Sequence, residues 1–200
     1  GAYATHIVLD AHTPLFPVAE DEDPTALVAA SCSGATAAHA LALCPVGPGE
    51  VAVVLGPGPL GAFSAALARH AGAAEVVVIG GTGSRLDLCR RLGATVTLNR
   101  NATDACARLE QVRELTRGRG ADVVVEASGS IAAAQEALDL VRPGGAVSLV
   151  GFGAPAGTMS LLPFEALVRR GVRLQGVWVS DAGHTARALA LIRRQPEAFA

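Results

Sequence analysis

Two hundred residues, half of them hydrophobic, are enough to bury a substantial core in one domain, or in one domain with a small appendage. A formal net charge of -2 gives no electrostatic reason to expect nucleic acid or an anionic membrane as partner. All 16 basic residues are Arg, which excludes Schiff-base chemistry, a P-loop lysine and a lysine general base within these residues.

The first stretch, "YATHIVLD", alternates like a half-exposed strand, "EDEDP" is an acidic turn, and Pro24–Leu43 reads as one Ala-rich helix. From residue 51 a different rhythm begins. Val51–Leu55 is strand-like, then Leu60–Ala71 helical; Glu75–Ile79 is a strand, then Ser84–Leu92 a helix. Thr95–Leu98 is a strand, Thr103–Thr116 a helix, Asp122–Glu126 a strand and Ile131–Val141 a helix. Ala146–Val150 is a strand, Phe164–Arg170 a helix, Val172–Val179 a strand, and Ala182–Arg194 begins a helix expected to pack on the sheet. Helices stop at Gly72, Gly93, Gly118 and Gly171 or run into "RPGG". Continuous Val/Ile/Leu runs indicate strands covered on both faces. Six strands with helical crossovers predict an α/β fold, a Rossmann-type doubly wound parallel sheet with helices on both faces.

Between the first strand and its helix stands "LGPGPLG", in which Gly56, Gly58 and Gly61 have the spacing G-x-G-x-x-G. Strand, tight glycine turn and helix form the context of a dinucleotide site. Gly56 allows the turn, Gly58 admits a pyrophosphate, and Gly61 lets the helix, opened by Pro59 and Leu60, pack closely and aim its amides at the anion. The second strand ends in Gly80, where NAD-binding folds usually carry an acidic residue for the adenosine ribose. Thr82, Ser84 and Arg85 follow, with donors suited to a 2′-phosphate. The lean is toward NADP over NAD. Arg85 is equally readable as a solvated first-turn residue. "EASG", with Ser128, and "LVGFG", with Gly151, end later strands in small residues that suit a flat cofactor. Glu126 is either a buried acid with a hydrogen-bonding task or a surface residue at a strand end.

Cys32, Cys44, Cys89 and Cys106 form no C-x-x-C pair, so neither a disulfide framework nor a self-contained zinc site is indicated. Cys89 and Cys106 read as reduced core thiols, and Cys32 taken alone reads more readily as core than as ligand. With no secretory or lipidation signal and no apolar run of about 20 residues, the expectation is a soluble, cytoplasmic protein.

"GAYATHIVLD…ASCSGATAAHAL…VVLGPGPLG…RLDLCRRLGA…GRGADVVVEASG…RPGGAVSLVG…LQGVWVSD" resembles the zinc-dependent alcohol dehydrogenases of the medium-chain dehydrogenase/reductase family across essentially all 200 residues. The resemblance implies an NAD(P)-dependent enzyme that passes a hydride between the cofactor and a small alcohol or carbonyl compound. It implies that Cys32, in "CSGAT", is a ligand of the catalytic zinc and that Thr36 contacts the nicotinamide. Val177 and Trp178 then lie on the cofactor side of the last strand, and a homo-oligomer forms through the cofactor domain. His6, His12, His39, His70 and His184 do not match the family's ligand motif. The implied chain is a fragment. Residues 1–45 would be a remnant of a GroES-like catalytic domain with its connecting helix, 46–180 the NAD(P)-binding domain, and 181–200 a truncated helix. Such a fragment would lack a complete active site and stoichiometric catalytic zinc. The alternatives are a zinc-free NADPH-dependent quinone or enone reductase of the same superfamily, a non-catalytic nucleotide-binding module and, behind these, a Rossmann-type methyltransferase.

Overall fold

The computed structural model describes residues 4–199. The apolar runs form the strands β1 Val51–Leu55, β2 Glu75–Gly80, β3 Val96–Asn99, β4 Ala121–Glu126, β5 Val141–Leu149 and β6 Arg173–Gly176. All neighbours are parallel, in the order β3-β2-β1-β4-β5-β6. This is the doubly wound sheet that the alternation of elements predicts, with strand order reversing between β1 and β4.

Successive side chains of a strand point to opposite faces, so a run such as Val51–Leu55 demands cover on both. One core packs Ala52, Val54, Val76, Val78, Val123 and Val125 under α3 Pro59–His70 and α4 Gly83–Arg91. Above α3 lie α2 Ser33–Leu43 and α7 Ala182–Arg194, packed against each other. The other core packs Val53, Leu55, Val77, Ile79, Val124 and Val147 under α5 Ala105–Leu115 and α6 Ile131–Leu140. Asp122, buried at the start of β4, fastens three strands together. Its carboxylate accepts the Val51 N–H at 2.8 Å and Arg142 Nε at 2.5 Å. Arg108 and Glu136 form a buried two-pronged pair, at 2.6 and 2.9 Å, that joins α5 to α6.

The structure corrects several expectations. Ala4–Asp10 forms no strand; it finds no partner, and Ile7, Val8 and Leu9 are exposed, while Tyr3 lies outside the described residues. Pro24–Leu43 breaks at Cys32: α1 Pro24–Val28, continued by a tight helical turn at Ala29–Ser31, meets α2 at a bend of 46°. Asp23 caps α1 through the Thr25 N–H at 2.8 Å. Packing sets the direction of α2: a Cβ on Gly34 would stand 2.8 Å from Ala188 Cβ of α7 and 3.1 Å from the Phe63 ring of α3. Tertiary contact here overrides Ala-rich propensity. The expected helix at Phe164–Arg170 is one wide turn, with Arg169 N–H bonded to the Phe164 carbonyl and Val172 N–H to that of Leu167. β5 starts earlier than expected: Val141 pairs with Ala121 before "RPGG" bulges, and regular pairing resumes at Ala146. α7 packs on α2 and α3, one layer away from the strands. Cys106 is exposed, whereas Cys89 is buried as expected.

Candidate functional site

The chain leaves β1 and turns at Gly56 with φ +109°, a conformation that side chains rarely adopt. A Cβ there would stand 3.0 Å from the backbone of Ala127 and Ser128. Gly58 caps α3 in extended backbone, and Pro59 opens the helix, where its missing N–H costs little. Gly61 faces inward: its Cβ would lie 1.8 Å from the Gly56 carbonyl oxygen, so helix and turn close on each other only without a side chain. Gly58 differs, because no heavy atom lies within 4 Å of where its Cβ would stand. The first bond of the helix runs from Ala62 N–H to the Gly58 carbonyl at 2.8 Å. The amides of Leu60 and Gly61 precede it, without a protein acceptor among the described residues. A bare position before free amides at a helix N-terminus is a cradle that fits a pyrophosphate, and a side chain on Gly58 would fill it.

At the end of β2, Gly80 lies beneath the turn, and a Cβ on it would stand 2.3 Å from Pro57 Cγ. An acidic side chain at this position would displace Pro57. Thr82 caps α4 without a side-chain hydrogen bond, and Thr82, Ser84 and Arg85 are exposed. Arg85 lines a groove of about 290 Å³ with Pro57 and Pro59. On the other side, Arg100 lines a pocket of about 90 Å³ with Gly56, Pro57, Gly80 and Gly81. Sequence reasoning missed Arg100. The signal was its place just after the third strand, since the carboxyl ends of a parallel sheet gather at the ligand edge.

Glu126 is fully buried at the end of β4. Its carboxylate accepts the Ser128 N–H at 2.8 Å, the Ser128 hydroxyl at 2.5 Å and the Gly129 N–H at 3.0 Å. The residue therefore shapes its own loop, leaving Ser128 exposed above it. A Cβ on Gly151 would stand 2.3 Å from the Gly129 nitrogen, so the loops after β4 and β5 meet backbone to backbone. Val177 turns its side chain into the core, and Trp178 is 67% exposed.

Cys32 sits at the break before α2 and is exposed, which removes the core reading of this thiol. One turn on, the half-buried Thr36 donates its N–H to the Cys32 carbonyl at 2.9 Å. No three His, Cys, Asp or Glu side chains gather into a metal-binding group among the described residues. Cys32 offers a single thiolate, so these residues alone do not fit a zinc ion. Among the histidines, the rings of His39 and His184 are in contact, tilted by 35°, and His70 meets Arg194.

A family model described as zinc-binding dehydrogenase matches residues 59–194. A 5-exo-hydroxycamphor dehydrogenase of Pseudomonas putida is 29% identical over 200 residues, which is all of this chain and 55% of that protein. An alcohol dehydrogenase from Thermotoga maritima superposes with a TM-score of 0.88 at 38% identity, over 91% of this chain and 50% of that one. A protein from Sinorhizobium meliloti, solved bound to NADP, superposes with a TM-score of 0.80 at 25% identity, over 90% of this chain and 51% of that one. The chain thus spans about half the length of these relatives. With the matched span running from α3 through α7, the chain belongs to the zinc-binding dehydrogenase family, within the medium-chain dehydrogenases that its motifs resemble.

Proposed function

We propose that this chain is the nicotinamide-cofactor-binding part of an alcohol dehydrogenase that moves a hydride between NAD(P) and a small alcohol or carbonyl compound. The open position at Gly58, before the free amides of Leu60 and Gly61, carries this reading. The bound nicotinamide supplies the hydride acceptor or donor. The chain's own residues bind and orient. Leu60 and Gly61 donate to the pyrophosphate, and Ser128 and Gly151 offer close backbone beside it. Thr36, Trp178 and the backbone of Val177 meet the nicotinamide half.

NADP is favoured over NAD, with Thr82, Ser84 and Arg85 as donors to its 2′-phosphate and Arg100 beside them. The small residue at Gly80 and the NADP held by the Sinorhizobium meliloti protein support this preference. Cys32 is proposed as one ligand of a catalytic zinc completed by residues outside the described set. Its exposure at the helix break and the family's zinc-binding description support that role. Residues 1–45, 46–180 and 181–200 are read as catalytic-domain remnant, cofactor domain and start of a further helix. A homo-oligomer through the cofactor domain is supported by β6, an edge strand that pairs only with β5 among the described residues. Four free cysteines support a reducing, cytoplasmic setting.

Calorimetry with NADP tests the central reading. The wild-type chain should bind, and Gly58→Val should lose binding with an unchanged far-UV spectrum. Undiminished affinity in Gly58→Val would reject the assignment.

A further inference from the structure

We propose that His39 is a positioning residue, one that fixes the loop after β6 against α2 and so sets the slot for the nicotinamide ring. The inference rests on the reading that Trp178 and the backbone of Val177 face that half of the cofactor. His39 lies on α2 three residues beyond Thr36, hence near the same face. Its Nδ1 stands 2.8 Å from the carbonyl oxygen of Val179, across 140 residues of sequence. A carbonyl oxygen only accepts, so the imidazole donates from a protonated Nδ1.

The ring of His39 also packs on that of His184 at the start of α7, with centroids 4.5 Å apart. His184 holds the far side of the same loop. The Asp181 N–H donates to its Nδ1 at 3.2 Å, and the Asp181 carboxylate accepts the His184 N–H at 2.9 Å. Two imidazoles in contact therefore grip the loop, one at the acceptor of Val179 and the other at the donor of Asp181.

The backbone between them needs that grip. Val179 has φ +50°, a left-handed conformation that a β-branched residue avoids and that persists only where surroundings impose it. Packing does not impose it, because Trp178 and Val179 are 67% and 57% exposed. Val177 is pinned by its N–H bond to the Leu149 carbonyl at 3.0 Å, so the unsupported stretch is Trp178–Ser180. Among the described residues, the side-chain hydrogen bond to that stretch comes from His39 alone. The adenylate half of the cofactor rests instead on the glycine turn. Releasing the loop should therefore affect only one half of the ligand.

The 200-residue chain has one tryptophan, Trp178, whose emission reports on this loop directly. His39→Phe keeps a ring against His184 and removes the donor; His39→Ala gives the same contrast should the larger ring disturb folding. Either variant is expected to shift Trp178 emission and to speed amide exchange at residues 178–181 by about tenfold or more. NADP should bind about tenfold more weakly, whereas 2′,5′-ADP, which has no nicotinamide, should bind as before. His39→Asn, whose amide nitrogen can stand where Nδ1 stood, should restore all three properties. Equal losses for both ligands would make His39 a general stabiliser and overturn the proposal. Unchanged exchange and emission, or failure of Asn to rescue, would overturn it too. If the wild-type chain binds neither ligand, the cofactor reading falls, and exchange and emission alone decide whether His39 holds the loop.

Discussion

Gly58 and Gly61 stand three residues apart and lack a side chain for opposite reasons. A methyl group on Gly61 would overlap the Gly56 carbonyl oxygen at 1.8 Å, so Gly61→Ala must push α3 away from the turn. Overpacking of this kind costs about 1–3 kcal/mol, and the melting temperature of Gly61→Ala should fall accordingly. A Cβ on Gly58 meets nothing within 4 Å, so Gly58→Val should cost only the cap preference, about 1 kcal/mol, while losing the dinucleotide. The reverse pattern would make the three glycines a turn and nothing more. The arginines flanking Pro57 allow a second test at this scale. A charge-assisted contact to a 2′-phosphate is worth about 1.5–3 kcal/mol, which gives NADP at least a tenfold advantage over NAD. Arg85→Gln should bring the two affinities close together by weakening NADP alone. If Arg100→Gln does so instead, the phosphate lies on the β3 side of the turn. Equal affinities in the wild-type chain would reject the preference and leave the fold intact.

On α4 the inner face carries Leu86 and Cys89, with Leu92 at the helix end, all buried. Burial pushes the Cys89 thiol up from its ordinary value of 9.0 to about 11, because the thiolate would lose its water. A raised value means that the folded state prefers the neutral thiol. The stability from Cys89 is then complete below pH 9.0 and is lost as the pH rises through about 11. Cys89→Ala should remove this alkaline component from the pH profile of unfolding. Burial also raises the Cys44 thiol, whereas Cys32 and Cys106 are exposed. Native protein should accordingly take two alkyl groups from a thiol reagent near pH 8, and four once denatured, as counted by intact mass. The inward face of Cys89 was legible in "RLDLCRRLGA", as were the helix-ending glycines, whose φ values are positive at 72, 93, 118 and 171. These signals are local, set by periodicity and by the conformation one residue requires. The break at Cys32 was missed: "SCSG" carries a Ser-Gly turn signal inside the Ala-rich run, but contacts from Phe63 and Ala188, distant in sequence, are what direct α2. Glu126 stayed ambiguous for a similar reason. Its partners are backbone amides two and three residues on, and only burial shows that they outcompete solvent.

Across the whole molecule, β1 to β3 are sequence neighbours and so are β4 to β6, while the pairing of β1 with β4 joins the two halves. Asp122 stands at the foot of this seam, and its bond from the Val51 N–H spans 71 residues. Deleting one partner of a buried ion pair costs roughly 3–5 kcal/mol. Asp122→Ala should lose stability on that order in denaturant titration, and Arg142→Ala less, because Arg142 is half-exposed. The seam also has a consequence in time. Contacts between close neighbours can form early, whereas joining strands across a long stretch of chain first requires closing that loop. Much of the loss in Asp122→Ala should therefore appear as slower refolding in stopped-flow experiments rather than as faster unfolding. The glycine turn follows β1 and the Ser128 loop follows β4, so the proposed cofactor cradle straddles this late joint. Neither half-sheet alone holds both sides of it. A refolding chain should gain affinity for NADP only in its slowest phase, and added NADP should retard unfolding while leaving the refolding rate unchanged.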